Sequence, residues 1–212
     1  MIEILKNIEF EPFLLSFKLA GITTLILFFI SLPIAWYLSQ TKSRFKPILE
    51  AITALPIVLP PSVLGFYIPW SLSFNSPIGA FFQEYFGIKL VFNFTGLIIA
   101  SCFYSLPFMV QPLQGGLESL NKNMLEASYI SGKSKFETLF RVAIPNIKPA
   151  LITAIIITFS HTVGEFGVVM MVGGSIPSET KVASVAIYEF VEIMDYTNAH
   201  IYSAIMITLS FL

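Results

Sequence analysis

The chain has 212 residues and a mean hydropathy of +0.79, and only 12% of its side chains are charged. Soluble domains usually carry about 25% charged residues, so this composition excludes an ordinary water-soluble protein. The formal net charge of −1, without a basic cluster, gives no indication of a nucleic-acid partner. The single cysteine, Cys102, excludes a disulfide framework and a cysteine metal cluster.

Long apolar runs predict an all-α integral membrane protein, because about 20 apolar residues match the hydrocarbon thickness of a bilayer. No charged residue occurs from 19 to 41, from 51 to 83, or from 90 to 117. We expect one transmembrane domain, 1–212, with about five spans. These spans are Phe13–Leu38, Leu49–Leu72, Phe94–Leu113, Ala150–Val172 and Ala199–Leu212. The last span is short, which indicates either a helix cut off at the chain end or a tilted one.

Charge asymmetry predicts the orientation. The N-terminus, Met1–Lys6, lacks the basic region of a signal peptide, so we expect the first span to be a retained anchor. Eight lysines and arginines fall in the loop after the first span and in the long loop of residues 118–149, whereas four fall elsewhere. Because basic loops stay in the cytoplasm, we expect the N-terminus outside, and the long loop and the C-terminus inside.

The long loop is predicted to form two helices joined by a sharp turn. Asn121 is a suitable N-cap for the first helix, and Gly132 is suited to end it. Ser134 and Glu137 have the spacing of a capping box that opens a second helix, which ends near Ile144-Pro145. The apolar residues at helical spacing in this second helix are Phe136, Leu139, Phe140 and Ala143. Such a stripe either packs on the protein's own spans and the lipid surface or docks into a groove on a partner.

The spacing of Glu126-Ala127-Ser128, Gly132 and Ile144-Pro145 resembles the loop signature of ABC importer permeases. That family's pattern is Glu-Ala-Ala, three residues, Gly, nine residues, Ile, one residue, Leu-Pro. This chain differs at three positions, Ser128, Val142 and Ile144. The resemblance implies that the loop holds a coupling helix that docks into a cleft of an ATPase subunit. The implied docking residues are Glu126, Ala127, Ser128, Gly132, Phe136, Phe140, Ile144 and Pro145.

Gly132-Lys133-Ser134 looks like the end of a phosphate-binding P-loop. That motif needs a glycine five positions before the Gly-Lys pair, where this chain has Ala127, and it also needs a preceding buried strand. We therefore expect a translocation subunit and not an enzyme. ATP and Mg²⁺ are expected on the partner ATPase, with no cofactor bound by this chain.

Two further segments resemble oxyanion permeases. Leu55–Gly65 resembles the second span of molybdate-importer permeases. His161–Gly167, followed by Gly173–Thr180, resembles the fourth span and outer loop of molybdate, tungstate and sulfate permeases. A compact chain of five spans favours molybdate, because sulfate permeases of this group tend to be longer, with an extra leading span. Molybdate and tungstate are nearly alike in size, shape and charge, so the sequence does not separate them.

This resemblance implies a permease of the ABC importer type I fold in the bacterial inner membrane. It also implies a homodimer of this subunit, two copies of a cytoplasmic ATP-binding subunit, and a periplasmic oxyanion-binding protein that delivers the ion. A pathway between two copies agrees with the small number of helices, since five can barely enclose a water path.

The translocation path needs polar groups, because moving a dianion through hydrocarbon is otherwise prohibitive. Apart from Lys18 near a span end, the spans contain no lysine or arginine. The candidate ligands are therefore water, backbone N–H groups at helix breaks, and hydroxyls. The hydroxyls are those of Ser101, Ser105, Thr153, Thr158, Ser160 and Thr162. Weak liganding suits transit, so we expect selectivity to reside chiefly in the external binding protein.

Prolines are predicted to break or bend the second span, since each removes a backbone donor. They are Pro56, Pro60 and Pro61. The break either is a structural kink or lines the path, in which case Pro60, Pro61 and Ser62 belong to the path.

Glu165 is the one acid well inside a span, and His161 lies one helical turn before it. An ionisable group in a membrane is a functional candidate, so His161, Gly164 and Glu165 are candidates for a gate. The alternative is a structural pair that holds a bend near Gly164 and Gly167. A zinc site would need a third ligand, and His200 is the only other histidine.

Two functions of other classes compete with transport by an ATP-driven permease. An intramembrane enzyme using His161 and Glu165 lacks a convergent second set of ionisable residues. A secondary transporter driven by an ion gradient would not explain the loop signature, and the sequence has no inverted repeat of the kind many such transporters contain.

Overall fold

The computed structural model of the chain describes residues 9–87 and 89–211. All regular secondary structure in these residues is helical, which confirms the all-α prediction. The expectations for Met1–Lys6 and for the end of the last span at Leu212 concern residues outside the described ranges.

Twelve α-helices and one π-helical segment follow one another along the described chain. The α-helices are α1 (Glu11–Gln40), α2 (Lys46–Val58), α3 (Pro61–Leu72), α4 (Pro77–Phe86), α5 (Phe94–Glu118), α6 (Lys122–Ile130), α7 (Lys135–Thr138), α8 (Ile144–Asn146), α9 (Lys148–Gly164), α10 (Gly167–Gly173), α11 (Ala183–Glu192) and α12 (Tyr196–Ser210). The π-helical segment, Leu139–Ala143, connects α7 to α8.

The first and third expected spans are single helices, α1 and α5, and both are long and apolar enough to cross a membrane. The second expected span is divided into α2 and α3 at Leu59 and Pro60, as the prolines predict. Leu59 has a ψ of 134° and Pro60 a ψ of 141°, so both are extended. Each of these two residues precedes a proline, which disfavours the helical conformation and accounts for the break.

The fourth expected span is also interrupted, because α9 ends at Gly164 and α10 begins at Gly167. The fifth is α12, whose 15 residues extend for only about 22 Å at the α-helical rise. By length and composition, the described residues contain two spanning helices, or up to four when each bent pair of helices counts as one span. The connections around residues 80 and 185, between the expected spans, each contain a ten-residue helix, α4 and α11.

The chain folds into two compact units. The first unit contains the described residues up to Thr23, residues 60–103, and the chain from Thr162 onward. In this unit α3 packs along α10, and α11 packs along α12. Its apolar core around α11 and α12 includes Phe13 and Tyr202, whose ring centroids lie 5.0 Å apart.

The second unit contains residues 24–59 and 104–161 and therefore includes the whole long loop. Its buried side chains come from the end of α1, from α5, and from the long loop itself; they include Leu38, Met109, Leu113, Leu125 and Ala143. At the end of α5, Gly116 leaves room for the start of α9. A Cβ at this position would lie 2.4 Å from the Cβ of Ala150.

Candidate functional site in the long loop and the interrupted fourth span

The first helix of the long loop has the boundaries that its sequence predicts. The side chain of Asn121 accepts a hydrogen bond from the backbone N–H of Asn123 at 2.9 Å, which caps α6. After the helix ends, Gly132 has a φ of +77°, a conformation that glycine adopts without steric cost. Backbone N–H groups of Gly132 and Lys133 bond carbonyls of the last turn, so the change of direction is well defined.

The second helix opens with the predicted capping box. The backbone N–H of Glu137 donates to the Ser134 hydroxyl at 3.2 Å, and the backbone N–H of Ser134 donates to the Glu137 carboxylate at 3.1 Å. The backbone N–H and the hydroxyl of Ser134 both donate to the Glu137 carboxylate, and these hydrogen bonds hold the pKa of Glu137 below its ordinary value. The helix continues through the π-helical segment to Asn146, and it meets α9 at a bend of 83°.

The apolar stripe of the second helix divides into two rows. Leu139 and Ala143 are buried within the protein. Phe136 and Phe140 remain exposed by 70% and 46%, with their ring centroids 4.5 Å apart. Ile130, at the end of α6, is 87% exposed. The loop therefore uses one row to hold its own fold and leaves an aromatic pair available to a partner.

Ser128 has a structural role that its position in the signature did not predict. Its hydroxyl lies 2.8 Å from the hydroxyl of Thr138, and both side chains are buried. This hydrogen bond joins α6 to the start of the second helix. The replacement of the family's alanine by serine is thus matched by a threonine ten residues later.

The other predicted docking residues lie at or near the surface of the loop. Glu126, Ala127, Gly132 and Pro145 are exposed, and Ile144 is half-buried. At the base of the loop, the Lys46 ammonium lies 2.7 Å from a Glu118 carboxylate oxygen, which ties the start of α2 to the end of α5.

In the first unit, Glu165 lies between α9 and α10 with only 5% of its surface exposed. Neither carboxyl oxygen has a hydrogen-bond partner of normal geometry among the described residues. The Ser101 hydroxyl is close enough to interact with this carboxyl electrostatically. The backbone carbonyl of Glu165 accepts from the Ser184 hydroxyl at 2.7 Å, and this hydrogen bond holds the main chain at the break.

The predicted break at Pro60 and Pro61 contacts the helix that follows Glu165. A Cβ at Gly167 would lie 2.9 Å from the Cβ of Pro61, and one at Gly65 would lie 2.5 Å from the sulfur of Met171. Helices α3 and α10 thus approach through two glycines. Ser62 is exposed near the start of α3.

His161 belongs to the second unit and has partners of its own there. Its Nδ1 lies 3.0 Å from the Ser105 hydroxyl, and its ring stacks on Phe108 with centroids 3.9 Å apart. The histidine is therefore held by Ser105 and Phe108 within its own unit. Within the same described residues, no three histidine, cysteine or acidic side chains could hold a metal ion.

The hydroxyls considered for the path differ in burial. Thr153 and Ser160 are exposed. The others, Ser101, Ser105, Thr158 and Thr162, are buried.

Comparison with known proteins identifies the family. A family model for the "binding-protein-dependent transport system inner membrane component" matches residues 20–212. The chain belongs to this family. It is therefore an integral inner-membrane component of a transport system, and not an enzyme. The membership rests on nearly the whole chain, including the long loop and the interrupted span.

Two relatives and one solved structure refine this result. The chain is 46% identical to the molybdenum transport system permease protein ModB of Azotobacter vinelandii, over 93% of this chain and 88% of that protein. It is 32% identical to a probable sulfate transport system permease protein of Chlorella vulgaris, over 96% of this chain and 76% of that protein. The fold is similar to a bacterial alginate ABC transporter crystallised with its alginate-loaded periplasmic protein, with a TM-score of 0.74 at 15% identity, covering 99% of this chain and 76% of that one.

Proposed function

We propose that this permease is the membrane subunit of an ATP-driven molybdate importer, and that its long loop receives the work of a separate ATPase. Coupling to an ATPase is supported chiefly by one observation, the exposed pair Phe136 and Phe140. This pair lies on a helix-turn-helix that has the signature spacing. Exposed aromatic side chains are costly in water and are frequent anchors of protein interfaces.

The loop is suited to dock because its own fold does not depend on the two exposed rings. The capping box at Ser134, the hydroxyl pair of Ser128 with Thr138, and the buried Leu139 all hold the loop without them. Such pre-organisation lowers the entropy that a partner must remove on binding. Two copies of an ATP-binding subunit dock in this proposal, one on each copy of a permease homodimer. ATP and Mg²⁺ bind to those subunits, and this chain binds no cofactor.

The transported ion is inferred from relatives. The 46% identical relative is named a molybdenum transport permease, and this identity extends over most of both chains. A periplasmic oxyanion-binding protein delivers the ion in this proposal, which is supported by the complex of a structurally similar transporter with its periplasmic protein. The N-terminus is then outside, with the long loop and the C-terminus in the cytoplasm.

Sulfate is the second candidate, because a permease named for sulfate is 32% identical over nearly the whole chain. Tungstate is a third, since it has nearly the size and charge of molybdate. Competition between the ions during uptake distinguishes these cargoes.

The path and gate in this proposal involve Pro60, Pro61 and Ser62 at one helix break and Gly164 and Glu165 at the other. The helices that follow these breaks, α3 and α10, lie in the first unit and pack on each other. His161, held by Ser105 in the second unit, is a separate candidate. A carboxylate repels an oxyanion, so Glu165 acts as a gate and not as a ligand of the ion.

The docking proposal is tested by measuring how tightly the ATP-binding subunit associates with the permease. Replacing Phe136 and Phe140 together by alanine should weaken association by about 30-fold or more, because buried aromatic anchors typically contribute 2 kcal/mol or more. Phe45→Ala is the matched control, since Phe45 is 54% exposed in the same unit but lies outside the long loop. Unchanged association of the double variant, with an unchanged unfolding temperature, would show that the aromatic pair does not dock.

A further inference from the structure

At the start of the long loop, the second unit contains a polar cleft of about 470 Å³ whose lysines have no role in the proposed docking. It is formed by the turn after α1, the end of α5 and one face of α6. Three lysines, Lys42, Lys46 and Lys122, and two acids, Glu118 and Glu126, line it. The cleft is therefore open, basic, and positioned at the end of a spanning helix.

The charges around this cleft favour an anion. Lys46 is already bonded to Glu118, so this pair is internally balanced. Lys42 and Lys122 are exposed, and neither takes part in an ion pair among the described residues. The one other acid that lines the cleft is Glu126. Two ammonium groups without an ion-pair partner and one carboxylate therefore line the cleft, together with the side chains of Gln40 and Thr41.

A second cleft, also of about 470 Å³, adjoins the first, because both are lined by Gln40, Thr41 and Tyr129. Its other lining residues are Trp36, Tyr37 and Lys135. Tryptophan and tyrosine near the end of a spanning helix are typical of the level where lipid headgroups meet acyl chains.

We propose that the two joined clefts bind one anionic phospholipid. Lys42 and Lys122 contact its phosphate, and Trp36 and Tyr37 contact the glycerol and the upper acyl chains. Basic pockets beside spanning helices are suited to such headgroups, since lipid phosphates are concentrated at this depth. Tyr129 and Glu126 belong to α6, so the bound lipid also contacts the helix that begins the long loop. The proposal requires a membrane-spanning permease and is independent of which ion it carries.

Trp36 serves as a fluorescence probe of the site, because the chain has only two tryptophans, Trp36 and Trp70. In a Trp70→Phe background, fluorescence quenching by brominated lipid reports contact with Trp36. The permease is reconstituted with tryptophan-free variants of its ATPase subunits into vesicles of phosphatidylcholine containing phosphatidylglycerol, with the bromine on one lipid or on the other.

We expect brominated phosphatidylglycerol to quench Trp36 at least threefold more, per lipid molecule, than brominated phosphatidylcholine. In Lys42→Gln/Lys122→Gln this preference should disappear. The matched control is Lys133→Gln/Lys148→Gln, which removes the same charge from the long loop at positions lining neither cleft, and the preference should remain.

Four results would overturn the proposal. Equal quenching by the two lipids in the parent protein would exclude a selective lipid site. Loss of the preference in both lysine pairs would show a general effect of loop charge. Loss of the preference on addition of millimolar inorganic phosphate would assign the cleft to a soluble anion, and loss of ATPase subunits from Lys42→Gln/Lys122→Gln would assign these lysines to that interface.

Discussion

The hydroxyl groups of Ser128 and Thr138 lie 2.8 Å apart in the interior of the long loop, and this contact joins its two helices. Serine stands there in place of the second alanine of the family signature. A buried hydroxyl without a partner is unfavourable, so each member of the pair depends on the other. Thr138 therefore compensates for the departure from the signature. The hydrogen bond holds the helix with the exposed rings against α6.

Replacing Ser128 by alanine restores the signature but should destabilise this loop. The Thr138 hydroxyl would remain buried without its partner, which costs about 1–3 kcal/mol. Combining it with Thr138→Val should recover most of that loss, because both polar groups are then removed. Hydrogen exchange of the amides in α6 and α7 measures the effect. Equal exchange in the parent, single and double variants would refute the coupling.

Gly65 should tolerate no side chain, because a Cβ there would lie 2.5 Å from the sulfur and 2.8 Å from the Cβ of Met171. Gly65→Ala forces α3 and α10 apart, and overpacking of this kind typically costs about 1–3 kcal/mol. Gly21→Ala is the control, since nothing lies within 4 Å of a Cβ at that helical position. It should be neutral or stabilising by up to about 1 kcal/mol, as alanine is the better helix former. Thermal unfolding of both variants in detergent compares the two, and equal unfolding temperatures would contradict the described packing.

Glu165→Gln should separate stability from transport. In this conformation the Glu165 carboxyl is buried without a hydrogen-bond partner, so glutamine, which cannot carry the charge, should not lower the unfolding temperature. If Glu165 is a gate, its carboxylate gains a partner in another conformation of the transport cycle. Glutamine would remove this energetic difference between the two conformations, so uptake should slow at least tenfold. Glu192→Gln, at an exposed acid of the same unit, is the control. Unchanged uptake with unchanged assembly would remove Glu165 from the mechanism.

Local signals predicted the parts of this protein that depend on neighbouring residues. Two of these parts are helix caps, at Asn121 and at Ser134 with Glu137, whose side chains lie within three positions of the backbone groups that they bond. A third is the turn at Gly132, which needs a residue that adopts a positive φ. The break at Pro60 follows equally from the missing donors and the restricted conformation of the preceding residue.

Local signals did not predict the features that depend on contacts between distant residues. The contact of His161 with Ser105 joins residues 56 positions apart, which the spacing within one span does not indicate. Periodicity placed Phe136 and Leu139 in one stripe, although only tertiary packing decides which of them is buried.

Uptake of radiolabelled molybdate by vesicles holding the permease with its ATPase subunits, supplied with the periplasmic binding protein, tests the central claim most directly. We predict uptake that requires ATP, persists in a large excess of sulfate, and is lost in the variant with Phe136 and Phe140 both replaced by alanine. Complete suppression by sulfate would contradict the assignment of molybdate, and undiminished uptake by the double variant would contradict coupling through the long loop.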